Sequence, residues 1–362
     1  MTRITAATAR LVDIEVEKVR TDAMQSFLKQ ETIIVTVETA DGLTGRGYSY
    51  TIGTGGRATL SMLNEHLLAT LVGEDSRLVE HLWRRLYDST RATSIGVITA
   101  LALAAVDTAL WDLRAQRAVQ PLWMIAGGHR RAVPLYDTEG GWLHVSVDEL
   151  VDEARASSAR GWKGVKIKVG KPSIGEDVNR IAAVREAVGR DVEIMVDANQ
   201  SLTSAEAIRR AHAFEPFDLS WFEEPLPADD VTGHVRLAQS TSIPIAVGES
   251  MYSLGHFREY LERGAAGIVQ VDVARIGGIT PWLKVAHLAE AFNVQVSPHF
   301  LMELHVSLAA AIPNGRFVEH IPQLRAVTDS EIVIEDGHAL APMTPGLGID
   351  WNLDALDDRA VA

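Results

Sequence analysis

Gly164-Val-Lys-Ile-Lys-Val-Gly170 is a short apolar run in which two lysines alternate with branched residues. Period-2 alternation puts Val165, Ile167 and Val169 on one face and Lys166 and Lys168 on the other. If the branched residues meet covering helices, both lysines point into the interior, because a central parallel strand is buried on both faces. Two interior ammonium groups are costly unless anions meet them or their pKa values fall. An edge strand with solvated lysines is the competing reading, and the flanking pattern of a central strand disfavours it. Outward from this run the same texture recurs, with short apolar stretches at 132–138, 192–197, 219–224, 244–249, 267–272, 294–299 and 317–320. Between them lie segments of helical spacing: Val147–Ser158, Gly175–Val188, Ser204–Ala213, Val231–Gln239, Leu254–Arg263 and Pro281–Phe292. Alternation of this kind marks a parallel sheet, and eight strands predict an α/β fold of the (β/α)8 TIM-barrel type.

Upstream the texture differs. Thr32 to Tyr50 carries alternating β-branched residues around Asp41-Gly42, a hairpin pattern, and Ala58–Leu71, Ser76–Tyr87 and Val97–Ala118 have helical spacing. Gly127-Gly128 then interrupts the chain. The expected organisation is an α+β domain over residues 1–127, the barrel over 128–322, and a segment, 323–362, that returns to the first domain. That last segment lacks the βα alternation and contains a Pro342-Met-Thr-Pro-Gly346 turn.

With 48 acidic against 34 basic side chains, the net charge of −14 offers no broad positive field to nucleic acid or an anionic membrane, so neither is an expected partner. The same charge repels anionic substrates at long range, and a site for an acid must build its own positive potential from lysines or a metal. There is no cysteine, which excludes disulfides and thiolate chemistry. The amino-terminal stretch has no uninterrupted apolar core of a signal peptide, so a cytoplasmic location is expected. The longest apolar tract, Ile95 to Leu113, is broken by Thr99, Asp107, Thr108 and Asp112 and reads as a buried helix.

Residues at the carboxyl ends of barrel strands converge on one mouth, where active sites lie. Read at those ends, the chain offers Lys166 and Lys168, Asp197 and Asn199, Glu223, Glu249, Asp272, His299 and Glu319. Asp197, Glu223 and Glu249 end three successive strands and would repel one another unless a cation neutralised them. All-oxygen ligation that leaves room for water and substrate suits Mg²⁺ better than zinc. Glu224, beside Glu223, should point the other way as a structural partner. Asp272 and His299 end adjacent strands, so the carboxylate can orient the imidazole, raise its pKa and support a base near neutrality. His144, His305 and His320 have no such partner and read as packing or surface groups.

The ordered set Lys166-Ile-Lys168, Val196-Asp-Ala-Asn-Gln200, Trp221-Phe-Glu-Glu-Pro225, Gly248-Glu249, Val271-Asp272 with Ile276-Gly-Gly278, Ser297-Pro-His299 and Phe317-Val-Glu319 resembles the mandelate racemase group of the enolase superfamily. That resemblance implies an α+β capping domain completed by the carboxyl-terminal segment, and a modified (β/α)7β barrel. It implies Asp197, Glu223 and Glu249 as Mg²⁺ ligands, Lys168 as one base and the Asp272–His299 pair as the other. Lys166 would contact the substrate carboxylate, and Glu319 would donate a hydrogen bond to it as a protonated acid. Thr138 falls where the family often places a carboxylate-binding hydroxyl or amide. A homo-oligomer is implied as well.

Removing a proton next to a carboxylate leaves an enediolate with two negative charges, so strong electrostatic stabilisation is required, for which Mg²⁺ and Lys166 are the expected sources. Bases on the second and seventh strands would approach opposite faces of the substrate. Around Arg20–Lys29, polar Thr21, Asp22, Gln25 and Lys29 alternate with Met24, Phe27 and Leu28, and Tyr48 and His144 lie in adjoining segments. This polarity is similar to that of galactarate/talarate and related acid-sugar dehydratases. The expectation is therefore a Mg²⁺-dependent lyase that turns an aldarate or aldonate into a 2-keto-3-deoxy acid. Asp22, Gln25, Tyr48, Thr138 and Asn199 are expected to contact the substrate beside Lys166 and Glu319. A racemase or epimerase of a 2-hydroxy acid is the alternative within enzymes, and an acid-sugar-binding protein the alternative outside them.

Overall fold

The computed structural model of the protein describes residues 2–16, 18–27, 29–93 and 96–361; Leu28 of the polar loop and Ile95 of the apolar tract lie outside them. Three antiparallel strands, Ile4–Ile14, Gln30–Thr39 and Thr44–Thr51, form the first sheet. The hairpin expected around Asp41-Gly42 pairs the last two. The first strand escapes a reading by alternation because alanines and threonines spread over both of its faces. The helix Val97–Ala118 lies against this sheet so closely that a Cβ at Gly45 or Gly47 would run into its backbone at Ala109. It is buried over most of its length, and among the described residues no helix is long and apolar enough to cross a membrane.

Eight parallel strands follow: Ala132–Asp137, Gly164–Lys168, Glu193–Asp197, Trp221–Glu223, Ile245–Val247, Ile268–Val269, Gln295–Val296 and Val318–His320. The first seven pair in sequence. The eighth pairs with the first, Val318 opposite Leu135, and a parallel bridge from Val296 to Gly315 joins the seventh strand to the segment entering the eighth. Helices occupy all seven crossovers, giving (β/α)7β. Five of them begin at side-chain caps, Ser146, Ser173, Thr203, Asp230 and Ser253, which satisfy orphan amides of the first turn. The seventh, Met302–Ala311, is not among the expected helices: it is apolar and buried almost all round, so it has no amphipathic period to read. Inside the barrel, Tyr136, Met195, Trp221, Ala246, Ile268 and Phe317 form an apolar plug, with Tyr136 edge-on to Trp221 at 5.4 Å between ring centres. Burying each large ring contributes about 2–3 kcal/mol. The plug is one layer below the charged strand ends, so the mouth has a rigid floor.

After the eighth strand, a hairpin of Val333–Glu335 and His338–Leu340 adds antiparallel to the first barrel strand. The chain then reaches the first domain: Leu347 N–H donates to Asp112, Trp351 packs edge-on to Tyr48, and Val361 N–H donates to the Leu11 carbonyl.

A buried carboxylate joins the two halves directly. Asp107 of the helix Val97–Ala118 accepts the backbone N–H of Thr280 at 2.8 Å and its hydroxyl at 2.7 Å, at the start of the barrel helix Ile279–Ala291. Burial pushes its pKa up to about 7 despite these donors. The folded state therefore holds this proton more tightly than the unfolded chain. Its effect on stability is absent below about pH 4 and grows unfavourable as pH rises to about 7, to a ceiling of about 4 kcal/mol. Asp107→Asn is expected to flatten this dependence: between pH 5 and 8 the wild-type Tm should fall more steeply than the variant's, by differential scanning calorimetry.

Candidate active site

The strand ends bring the expected charges together. Lys166 and Lys168 are buried, as the alternation requires. Lys166 Nζ is 2.8 Å from both Glu223 Oε1 and Glu319 Oε1 and 3.7 Å from Asp197 Oδ2, while Lys168 pairs with Asp197. Burial pulls both lysines down, but the surrounding carboxylates outweigh it and hold both above their ordinary value. Asp197, Glu223 and Glu249 each offer an oxygen within 4.8 Å of the others. A buried all-carboxylate donor set of this spacing fits a hard divalent cation such as Mg²⁺. Glu223 is steadied from behind by Trp221 Nε1 at 2.9 Å and Gln270 Nε2 at 2.6 Å. Glu224 accepts from Gln200 Nε2, in keeping with a structural part.

Several strands end in left-handed turns of non-glycine residues: Asn199 (φ 43), Gln200 (φ 63), Glu224 (φ 35), Phe300 (φ 59) and Leu301 (φ 21). Each costs about 1 kcal/mol or more, and the packed surroundings retain them where side chains must be aimed. The turn at Phe300 delivers its N–H to Glu319 Oε2 at 2.8 Å and leaves His299 facing the cavity.

His299 Nδ1 lies 2.9 Å from Asp272 Oδ2, and Nε2 lies 3.2 Å from Glu249 Oε2. Burial lowers the imidazole pKa, but these two carboxylates more than compensate, and it stands raised. Asp272 is itself held at about 2: burial raises it, and His299 together with Arg275 brings it down further. Its other oxygen accepts the backbone N–H of Ala274 and Arg275. Tyr50, from the first domain, donates its hydroxyl to Asp272 Oδ2 at 2.7 Å and stacks on Phe300 at 4.6 Å.

A cavity of about 40 Å³ is enclosed by both domains. Thr138, Asn199, Lys166, Lys168, Glu249, Arg275, His299, Phe300 and Glu319 line it from the barrel, and Asp22, Gln25, Phe27, Tyr50 and Ile52 from the first domain. Asn199 Oδ1 is buried there with no hydrogen-bond partner among the described residues. Thr138 Oγ1 donates to Glu319 at 2.7 Å. Glu319 therefore receives Lys166, a hydroxyl and an amide; burial raises its pKa, but Lys166, His299 and the Thr138 hydroxyl outweigh it and hold it below the usual carboxylate range. Tyr48 corrects an expectation: it does not reach the cavity. It shares a strand face with Tyr50, but Trp351 covers it, and only Tyr50, nearer the strand end, extends to the mouth. Arg275, Trp142 and Ile52 were not anticipated, since nothing in their local pattern shows which loop meets the mouth. His305 accepts the Val273 N–H and, lowered to about 4 by burial, is a structural neutral group; His144 is exposed. A larger cavity of about 180 Å³ holds Asp137 and His320, which alternate with Thr138 and Glu319, so it lies across those strands from the converging bases.

The chain matches two family profiles, the mandelate racemase/muconate lactonizing enzyme N-terminal domain over residues 6–127 and the enolase C-terminal domain-like family over 149–355. It is 36% identical over 331 residues to an L-talarate/galactarate dehydratase of Salmonella typhimurium, covering 91% of this chain and 83% of that one. It is 38% identical over 340 residues to a 3,6-anhydro-alpha-L-galactonate cycloisomerase of Streptomyces coelicolor, covering 94% and 93%. Among solved structures, an L-talarate dehydratase from Polaromonas sp. JS666 complexed with Mg and L-glucarate superposes with a TM-score of 0.95 at 37% identity, over 99% of this chain and 98% of that one.

Proposed function

The chain belongs to the mandelate racemase/muconate lactonizing enzyme family of the enolase superfamily, and on that premise we propose that it is a Mg²⁺-dependent acid-sugar dehydratase. The observation that carries the reading is one cavity lined by Lys168 of the second strand, by His299, which Asp272 aligns, and by Glu249, one of a cluster of three buried carboxylates. Similarity to dehydratases of acid sugars, one of them solved with Mg and L-glucarate, supports the substrate class. Residues 1–127 act as the cap and 128–322 as the catalytic barrel, while 323–362 first lays a hairpin against the first barrel strand and then completes the cap.

Asp197, Glu223 and Glu249 would hold the metal, which would supply Lewis-acid stabilisation of negative charge at the substrate carboxylate. Lys166 supplies positive charge to the same carboxylate, and Glu319, tied to Thr138 and the Phe300 amide, fixes where that ammonium sits. His299, or Lys168 in its neutral form, takes the proton from the α-carbon. Protonated His299, aligned by Asp272, then gives a proton to the β-hydroxyl, which leaves as water, and the resulting enol becomes a 2-keto-3-deoxy acid. Asn199, Asp22 and Gln25 receive the hydroxyl-bearing remainder of the chain.

Two bases flanking one carbon also suit racemisation, which is the second reading. Incubating Mg²⁺-loaded protein with a panel of aldonates and aldarates in D₂O separates them. The dehydratase reading expects a keto acid lighter than its substrate by one water. Exchange of the α-hydrogen with recovery of an epimer and no keto acid would replace it with the racemase, and no turnover of these acyclic acids beside conversion of an anhydro-aldonate or an aldarolactone into an isomeric keto acid would replace it with a cycloisomerase.

A further inference from the structure

We propose that the acid taken by this site carries one carboxylate rather than two, and that Asp22 is the residue that turns a second carboxylate away. This rests on the acid-sugar reading above and narrows its substrate to the aldonate class. The lining is polarised. Every cation in it, Lys166, Lys168 and Arg275, stands on the barrel side, and each is already engaged: Lys166 with Glu223 and Glu319, Lys168 with Asp197, Arg275 with the carbonyl and carboxylate of Glu249. One substrate carboxylate is accommodated there by Lys166. The described lining residues that the first domain contributes are Asp22, Gln25, Phe27, Tyr50 and Ile52, with no cation among them. The nearest cations in that stretch are committed elsewhere, Arg20 to Glu139 and Lys29 to Asp13.

Asp22 is buried, and its Oδ1 accepts the backbone N–H groups of Met24 and Gln25 at 2.6 and 2.8 Å. Those two amides fix the side chain and leave its other oxygen as an acceptor. An acceptor-only oxygen beside the Gln25 amide recognises a hydroxyl, which has a proton to give; a carboxylate has none and brings like charge beside a buried carboxylate. A terminal hydroxymethyl group therefore satisfies this end, and a terminal carboxylate does not.

The test uses the full-length Mg²⁺-loaded protein with matched pairs that differ only in the terminal carbon, such as galactonate with galactarate and gluconate with glucarate. In the productive pair, kcat/KM is expected to favour the aldonate by about 100-fold, the scale of an uncompensated like-charge contact. Asp22→Asn, which keeps the acceptor for the Met24 and Gln25 amides, is expected to close that gap by about tenfold or more, through a gain on the diacid. Calorimetric binding to the Lys168→Ala variant gives a second readout and should show the same order of affinities. Preference for the aldarate, or a ratio that Asp22→Asn leaves unmoved, would overturn the inference while leaving the acid-sugar reading intact. If no pair is turned over and none binds, both fall together.

Discussion

Lys168→Ala and His299→Asn are each expected to lower kcat on the acid-sugar substrate by about 10³-fold or more, at the upper part of the range for a positioned acid or base. The loss should appear in kcat rather than in KM, because neither group is the main holder of the substrate carboxylate, a part left to Lys166 and the metal. The two variants should differ in kind. Lys168→Ala removes the ammonium paired with Asp197, a metal-binding carboxylate, so its Mg²⁺ affinity should be retained or strengthened. His299→Asn keeps a polar group facing Asp272 but removes the imidazole that protonates the leaving hydroxyl. If Lys168 is the base for the α-proton, His299→Asn will still exchange that proton in D₂O while making no keto acid; if His299 is the base, that variant will do neither. Steady-state kinetics with ¹H NMR of exchange reads both, and full turnover in both variants would remove these assignments.

Removal of divalent metal by a chelator is expected to abolish turnover, with recovery on addition of Mg²⁺. The reasoning is electrostatic. An enediolate places two negative charges beside a cluster of buried carboxylates, Asp197, Glu223 and Glu249, and Lys166 alone shares its charge with Glu223 and Glu319. Mg²⁺ should also raise Tm, since ligand at 100 times its Kd adds about 2.7 kcal/mol to the folded state. Glu249→Gln should weaken both responses and also lose the contact of its carboxylate with His299 Nε2. A protein that stays fully active in excess chelator would contradict this account.

The parts of the fold and site that could be read from sequence are those where burial leaves a periodic trace. Lys166 and Lys168 are legible because a strand buried on both faces tolerates two lysines only if carboxylates meet them, and Asp197, Glu223 and Glu319 do. The clustering of Asp197, Glu223 and Glu249 follows from spacing by successive βα units. The helix Met302–Ala311 left no such trace, being buried all round, and the strand Ile4–Ile14 had too even a spread of alanine and threonine. Contacts between domains were less accessible still. Tyr48 and Tyr50 look equivalent along their strand, and only the path of the carboxyl-terminal segment, which lays Trp351 over Tyr48, makes Tyr50 the partner of Asp272. The state of Glu319 likewise depends on three donors that converge from residues 138, 166 and 300.

A crystal structure of the protein with Mg²⁺ and a slowly turned-over acid sugar tests the central claim most directly. The account predicts the metal on Asp197, Glu223 and Glu249, the substrate carboxylate on the metal and Lys166, and the α-carbon between Lys168 Nζ and His299 Nε2. A metal held elsewhere, or an α-carbon within reach of neither base, would contradict it.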